Sequence, residues 1–291
     1  MIIVSDVEKI ISSLNLVKME YVPFILGFNV LAIIVRTFRQ KLFLDKLGLR
    51  LSFRDNIFYQ FHGLSMIATP GGLGQSIKSI SLKQNNNFPY SKTICVTLFE
   101  RYSDLLSAVS LIGLMLLFTS SFEGVIVFAS FSILLVCVFI IISKQKSFQY
   151  LIKLIPKIGP FKTIKENQHE LYKSSSTLLK PKTLVLGGII GLISWIFMAV
   201  AFYITFLAFN IEISFSQSTL ITFIPGTVGS LSFIPAGLGI IEVGMLGLLL
   251  KQGLNFSTSS ALILFIRLTN VWFYMFLGII FTKIVTHKKK Q

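Results

Sequence analysis

The chain has 291 residues, of which 53% are hydrophobic and 13% charged, with a net charge of +15 and 28 phenylalanines. A soluble domain carries about 25% charged residues, and here the apolar ones run in blocks such as Leu184 to Ala208, long enough to cross a hydrocarbon core of about 30 Å. A soluble globule is excluded, and so is a nucleic-acid binder, because the basic residues cluster between the apolar blocks. Of the 27 Lys and Arg, six fall at 36–54, three at 78–92, nine at 144–182 and four at 283–290. That is the positive-inside pattern of cytoplasmic loops beside anionic headgroups.

In chain order, residues 1–20 place Val7, Ile10, Ile11 and Leu14 at the spacing of a short amphipathic helix. With two acids and no long apolar core in this stretch, no cleavable leader is expected. The first full span is predicted at about 21–38. Residues 55–92 follow, and their two halves are too short and polar to span separately. They are divided by Ile67 to Gly74, which reads I-A-T-P-G-G-L-G. Proline removes a donor and the glycines allow positive φ, so the helix must break there. A re-entrant hairpin entering from the cytoplasmic side fits, since irregular backbone is tolerated at depth where protein or water covers it. The alternative is a pair of short kinked spans.

Spans at 93–118 and 124–143 come next, then a basic cytoplasmic loop at 144–182 expected to lie at the interface as a surface helix pair broken at Pro156 and Pro160. A span at 183–208 leads to a second hairpin at 218–252, entering from outside and divided by Ser232 to Gly239, S-F-I-P-A-G-L-G. The last span covers about 258–282. Each half thus reads span, hairpin, span, with 124–143 joining and reversing the second copy. Matching motifs in opposite orientation make an inverted-topology repeat, an architecture common among secondary transporters. The prediction is an all-α polytopic membrane protein of five full spans and two re-entrant hairpins in a single domain (repeat one 21–118, repeat two 183–283). The basic loops and the C-terminus lie inside.

Candidate site residues follow from the duplication. Pro70, Gly71, Gly72 and Gly74 free backbone amides that could bind an anion, with Lys78 one turn on. Pro235, Gly237 and Gly239 are the second copy. Arg101 falls 27 residues after Gly74 and Arg267 falls 28 after Gly239. Arg101 and Asp104 are three apart and share a helical face. Glu242 can pair with Arg267 or act alone as a proton carrier, since an intramembrane carboxylate is a functional candidate by default. Arginine's planar fork suits phosphate. Each feature also has a plain structural reading: a tight tip for close helix packing, or an ion pair that fixes it. Trp195 and Trp272 read as lipid-facing bulk or interfacial anchors. Cys95 and Cys137 have no metal or redox spacing, His62, His169 and His287 are scattered, and no catalytic motif is complete. No cofactor is expected.

These motifs resemble the lysylphosphatidylglycerol synthase transmembrane-region family, a flippase-like integral membrane domain. The resemblance rests on T-P-G-G-L-G-Q-S-I-K (69–78), E-R-Y-S-D-L-L (100–106), I-P-A-G-L-G-I-I-E (234–242) and Arg267, and it runs from about residue 6 to 285. Some members carry an attached aminoacyl-transfer domain that modifies phosphatidylglycerol, others form the membrane half of dolichol-phosphate glycosyltransferases, and many stand alone. With a longest loop of about 40 residues there is no room here for a soluble catalytic domain, so the resemblance implies lipid handling without an enzyme. It implies a phosphate-bearing lipid, phospholipid or polyprenyl-phosphate-linked, as partner, in the cell membrane. The rival is a non-transporting partner that anchors a separate glycosyltransferase or aminoacyltransferase. Against the family pattern the first span with which many members begin is expected to be missing, which would leave the N-terminus outside. It has Gln75 where such members have glutamate, leaving Glu242 as the matching acid.

Overall fold

A computed structural model describes residues 8–9, 11–14, 17–70, 73–154, 167–232 and 234–287. Val7, Ile10, Gly71, Gly72, Pro156 and Pro160 therefore lie outside the described residues. No strand occurs among those described; the fold is all helix. The helices are α1 (Val22–Lys46), α2 (Phe53–Leu64), α3 (Ile77–Asn86), α4 (Tyr90–Met115), α5 (Phe122–Ser143), α6 (Gln145–Leu154), α7 (Gln168–Leu178), α8 (Pro181–Ala208), α9 (Phe215–Leu231), α10 (Ile240–Lys251), α11 (Phe256–Arg267) and α12 (Phe273–His287). A single π-helical turn, Leu268–Trp272, joins the last two into one bent rod.

Local chemistry sets the boundaries. Ser52, Ser121 and Asn255 accept the amides of Asp55, Gly124 and Thr258 across the first turns of α2, α5 and α11. Ser214 and Gln217 form a reciprocal capping box on α9. Pro23 and Pro181 sit in the first turns of α1 and α8, where a missing N–H costs nothing. Gly48, at φ 75°, takes the left-handed turn after α1.

Among the described residues four stretches are long and apolar enough to cross a membrane: Met19–Lys46, Phe122–Ser143, Pro181–Ala208 and Phe256–Lys283. They coincide with four of the five predicted spans, and the protein is a multi-pass membrane protein. The fifth, α4, has 26 residues, about 39 Å of helix, but carries Glu100, Arg101 and Asp104. Its buried face includes Thr93, Thr97, Glu100, Ser103, Asp104 and Ser107, so polarity inside the bundle lowers its hydropathy. In contrast α5 buries only Gly124, Val127 and Leu135 and turns the rest outward, as an outer, lipid-facing helix does.

The principal contact joins α1 to α8. It is close because α8 offers Gly187, Gly191, Ser194, Ala199 and Ala201 to it and its neighbours, small residues that let backbones approach without water to drive them together. A methyl on Gly187 would lie 2.7 Å from the Phe43 ring. Further contacts also cross between the halves: α2 packs on α12, and α8 and α9 on α4. The basic loop departs from a flat surface pair. Its α6 and α7 dock on the bundle through Phe148, Ile152 and Leu171, and Ser91 donates to Glu170.

Candidate functional site

The two glycine motifs meet. Pro70 and Pro235 form an isolated antiparallel bridge, so the break after α2 and the break after α9 touch at their tips. Each tip is tied internally. Thr69 Oγ1 accepts the Gly74 amide at 2.6 Å. In the second tip Ala236, Gly237 and Gly239 all have positive φ (54°, 64° and 84°), a turn that glycine makes at little cost.

Arg267 and Glu242 hold that second turn closed. The Arg267 guanidinium is 2.7 Å from Glu242 Oε1 and donates to the Ala236 carbonyl at 2.6 Å, while Glu242 Oε2 accepts the Gly239 amide at 2.7 Å. The counterpart in the first half has the opposite sign: Lys78, the second residue of α3, pairs with Glu100 on α4. In both halves the helix leaving the tip is thus joined to the next long helix by a salt bridge, base to acid in one and acid to base in the other.

Around Glu100 lies the larger polar cluster. Lys78 also donates to Gln40 Oε1 at 2.9 Å and Gln60 Oε1 at 3.2 Å, and Gln40 donates to Asn56 at 3.2 Å. One turn along α4, Asp104 accepts Arg39 at 2.7 Å, Arg101 at 2.9 Å and the Trp195 indole N–H at 3.4 Å. Arg39 donates to Ser103 as well, at 3.1 Å. Arg36 donates to Ser194 Oγ at 2.9 Å and stacks over Trp195, 5.7 Å from the ring centroid. Gly191 leaves room for this: a methyl there would sit 2.9 Å from Arg39 Nη1 and 3.1 Å from Ser103 Oγ.

Four cations, Arg36, Arg39, Lys78 and Arg101, therefore face two carboxylates. Arg36 is 7% exposed, Arg39 1% and Lys78 3%. The depth of Arg36 follows from its bond to Ser194 on α8, whose 28 residues rise about 42 Å and place Ser194 about 20 Å from its start, near mid-height. A charge there costs roughly 2.5–3.5 kcal/mol on insertion scales, so Arg36 without an anion is a standing penalty. A polar seam continues along the same face of α1: Asn29 accepts Asn270 at 3.0 Å and Tyr274 at 2.8 Å. Asn270 lies in the π-turn, a distortion frequent at functional sites.

Two grooves flank α10. One, of about 680 Å³, is bounded by Ile224, Pro225, Val228 and Gly244, with Lys251 and Glu123 at one end, 2.6 Å apart. The other, of about 440 Å³, runs past Leu246, Ile263 and Trp272 to the Glu242–Arg267 pair. Neither is lined by the Arg39–Asp104 cluster.

The chain matches the family model described as "Lysylphosphatidylglycerol synthase TM region" over residues 1–278. It belongs to that family. It is also similar to "UPF0104 membrane protein PH1989" of Pyrococcus horikoshii, 24% identical over 300 residues, covering 94% of this chain and 90% of the relative. Two proteins of Methanothermobacter thermautotrophicus, each named "UPF0104 membrane protein", match shorter stretches. One is 35% identical over 94 residues, 32% of this chain and 28% of the relative. The other is 27% identical over 112 residues, 38% of this chain and 33% of the relative.

Within this family member, the sequence-derived residues fall into two groups. Lys78, Arg101 and Asp104 join the buried cluster; Gly237, Gly239, Glu242 and Arg267 build the second tip, and Pro70, Gly74 and Pro235 stand where the tips touch. No ion pair or hydrogen bond among the described residues links Arg101 to Arg267, so the two arginines stand in separate clusters. Two expectations are corrected. Arg36 and Arg39, both counted as loop charge at the end of a span predicted over about 21–38, lie inside the bundle because α1 continues to Lys46. Trp195, taken as lipid-facing or interfacial, is half-buried and turned inward to Arg36 and Asp104. The spacing of Asn29, Arg36 and Gln40, one face of a helix, is the signal that could have found the seam.

Proposed function

We propose that the protein is a flippase-like transporter that binds a phosphate-bearing lipid and moves its headgroup between leaflets. The observation that carries this reading is the surplus of cations around Asp104, Arg36 buried and Arg101 partly exposed. Arginine forks suit phosphate oxygens, and ionisable groups at such depth mark substrate pathways. The exchanged packing of the halves, α2 on α12 and α9 on α4, supports the inverted repeat expected of an alternating-access carrier. In this state the tips seal the site from one another's side. A headgroup passes when they part, its chains remaining in lipid beside grooves such as those along α10. The basic loops and C-terminus are assigned to the cytoplasmic side, the N-terminus to the outside, and no chemical step is assigned to the chain.

Arg36 tests the reading because it has no carboxylate partner among the described residues. Arg36→Gln leaves no acid orphaned and is expected to keep the melting temperature within a few degrees while reducing translocation of a labelled anionic phospholipid in proteoliposomes about tenfold or more, the worth of one charge-assisted contact. Undiminished translocation by this variant would sink the proposal.

A second reading has its own observation. Lys144, Lys146, Lys173, Lys180 and Lys182 are exposed on and beside α6 and α7, a basic face that could anchor a separate glycosyltransferase or aminoacyltransferase. Recovery of such an enzyme with the wild-type protein, but not when these lysines are neutralised, would favour it.

A further inference from the structure

We infer that the headgroup taken by the Arg36–Asp104 cluster is a phosphate monoester, a dianion, in preference to a phosphodiester. The inference rests on the transport reading above and deepens it. Within the cluster Arg39 and Asp104 neutralise each other, as do Lys78 and Glu100. Two cations remain. Arg101 only shares Asp104 with Arg39, and Arg36 has a serine hydroxyl, a methionine sulfur and an indole ring for partners. Arg101 pairs with Asp104, and Arg36 lies over the Trp195 indole that donates to the same carboxylate, so the surplus is gathered at one place and not spread along the seam.

The donors point the same way. Arg39 Nε and Arg101 Nε are buried with no hydrogen-bond partner, although Arg39 is 1% exposed and buried donors are normally satisfied. A diester phosphate offers one negative charge and two unesterified oxygens. A monoester above its second pKa of about 6 offers nearly two charges and three such oxygens. Two surplus cations match the monoester in charge, and the two orphan N–H groups are donors ready for its unesterified oxygens. The third orphan atom, Glu100 Oε1, is an acceptor. It lies on the Lys78 side of the cluster, which places the phosphate towards Arg36 and Arg101. Arg101, with 31% of its side chain exposed, is the member through which the headgroup would enter.

The chemistry is shared by two lipid sources, a glycerolipid such as phosphatidate and a long-chain prenyl phosphate, so the test carries both. The full chain is placed in phosphatidylcholine nanodiscs doped with phosphatidate, phosphatidylglycerol or a prenyl phosphate at about pH 8, above the second phosphate pKa of about 6. Bound lipid is read by native mass spectrometry. At least one monoester is expected to bind about tenfold or more tighter than phosphatidylglycerol. Arg36→Gln should bring that ratio close to unity while the protein melts as the wild type does. If both monoesters show the preference, the headgroup alone is recognised; if one does, the chain also selects, and that lipid is the source. Equal binding of phosphatidylglycerol and both monoesters would overturn the monoester inference and leave an anionic-lipid site standing. No binding of any of the three above the phosphatidylcholine background would overturn the site reading itself. An unchanged ratio in Arg36→Gln would also overturn the inference.

Discussion

Replacing Lys78 by methionine is expected to destabilise the protein by about 3–5 kcal/mol, the cost of leaving a buried charge without its partner. Lys78 is 3% exposed and Glu100 1%, so no solvent screens what remains. The loss reaches further than one pair. The Lys78 ammonium is also the donor for Gln40 and Gln60, which tie α1 and α2 to the helix leaving the first tip. Thermal unfolding in a mild detergent measures the effect, and a variant that melts as the wild type does would contradict the assignment. The double variant Lys78→Met, Glu100→Met should regain most of the loss, because an apolar pair of similar volume is often as stable as a buried ion pair. That recovery separates an electrostatic origin from simple disruption of packing. The double variant is also expected to keep the Arg39–Asp104 part of the cluster, one helical turn away.

Gly278→Ala is the second change expected to have a large effect. A methyl on Gly278 would clash with the Ser65 amide nitrogen and lie 2.6 Å from the Leu64 carbonyl carbon. Both are backbone atoms and cannot rotate away. The crossing is otherwise tight, with Phe61 stacked on Phe281 at 4.6 Å and His62 bonded to Thr282 at 2.9 Å. Overpacking of this kind costs about 1–3 kcal/mol and occasionally more. Here it would push α12 off α2 at the point where α2 enters the first tip. A lowered melting temperature should therefore accompany impaired lipid movement. In contrast, Gly226→Ala, where nothing lies within 4 Å of the added atom, should be tolerated.

How much of this was legible in the sequence depends on the range of the interactions. Spans such as 183–208 follow from apolar run length, and α8 covers Pro181–Ala208. Breaks at Pro70 and Pro235 follow from backbone chemistry confined to a few residues. The Arg101–Asp104 contact is local, three residues along one helix. The seam is different in kind. Arg39 meets Asp104 across 65 positions and Arg36 meets Ser194 across 158, and no periodicity reports a partner that distant. Charge counting then misplaced both arginines, because a basic residue near the end of an apolar block looks the same whether the helix stops or runs on. Glu242 and Arg267 were legible as a pair, but their bonds to the Gly239 amide and the Ala236 carbonyl, which make them a latch on the turn, need coordinates.

The account turns on the tips parting as lipid passes, and a cross-link between them tests that most directly. Residues paired across an antiparallel bridge have Cα atoms about 4.5–5.5 Å apart, within the span a disulfide accepts. Pro70→Cys with Pro235→Cys, in a chain whose Cys95 and Cys137 are replaced by serine, should therefore oxidise readily to an intramolecular bond. Translocation of a labelled anionic lipid is then followed in proteoliposomes before and after reduction. The account predicts that the oxidised protein is halted and the reduced protein recovers. Undiminished translocation by fully cross-linked protein would contradict it.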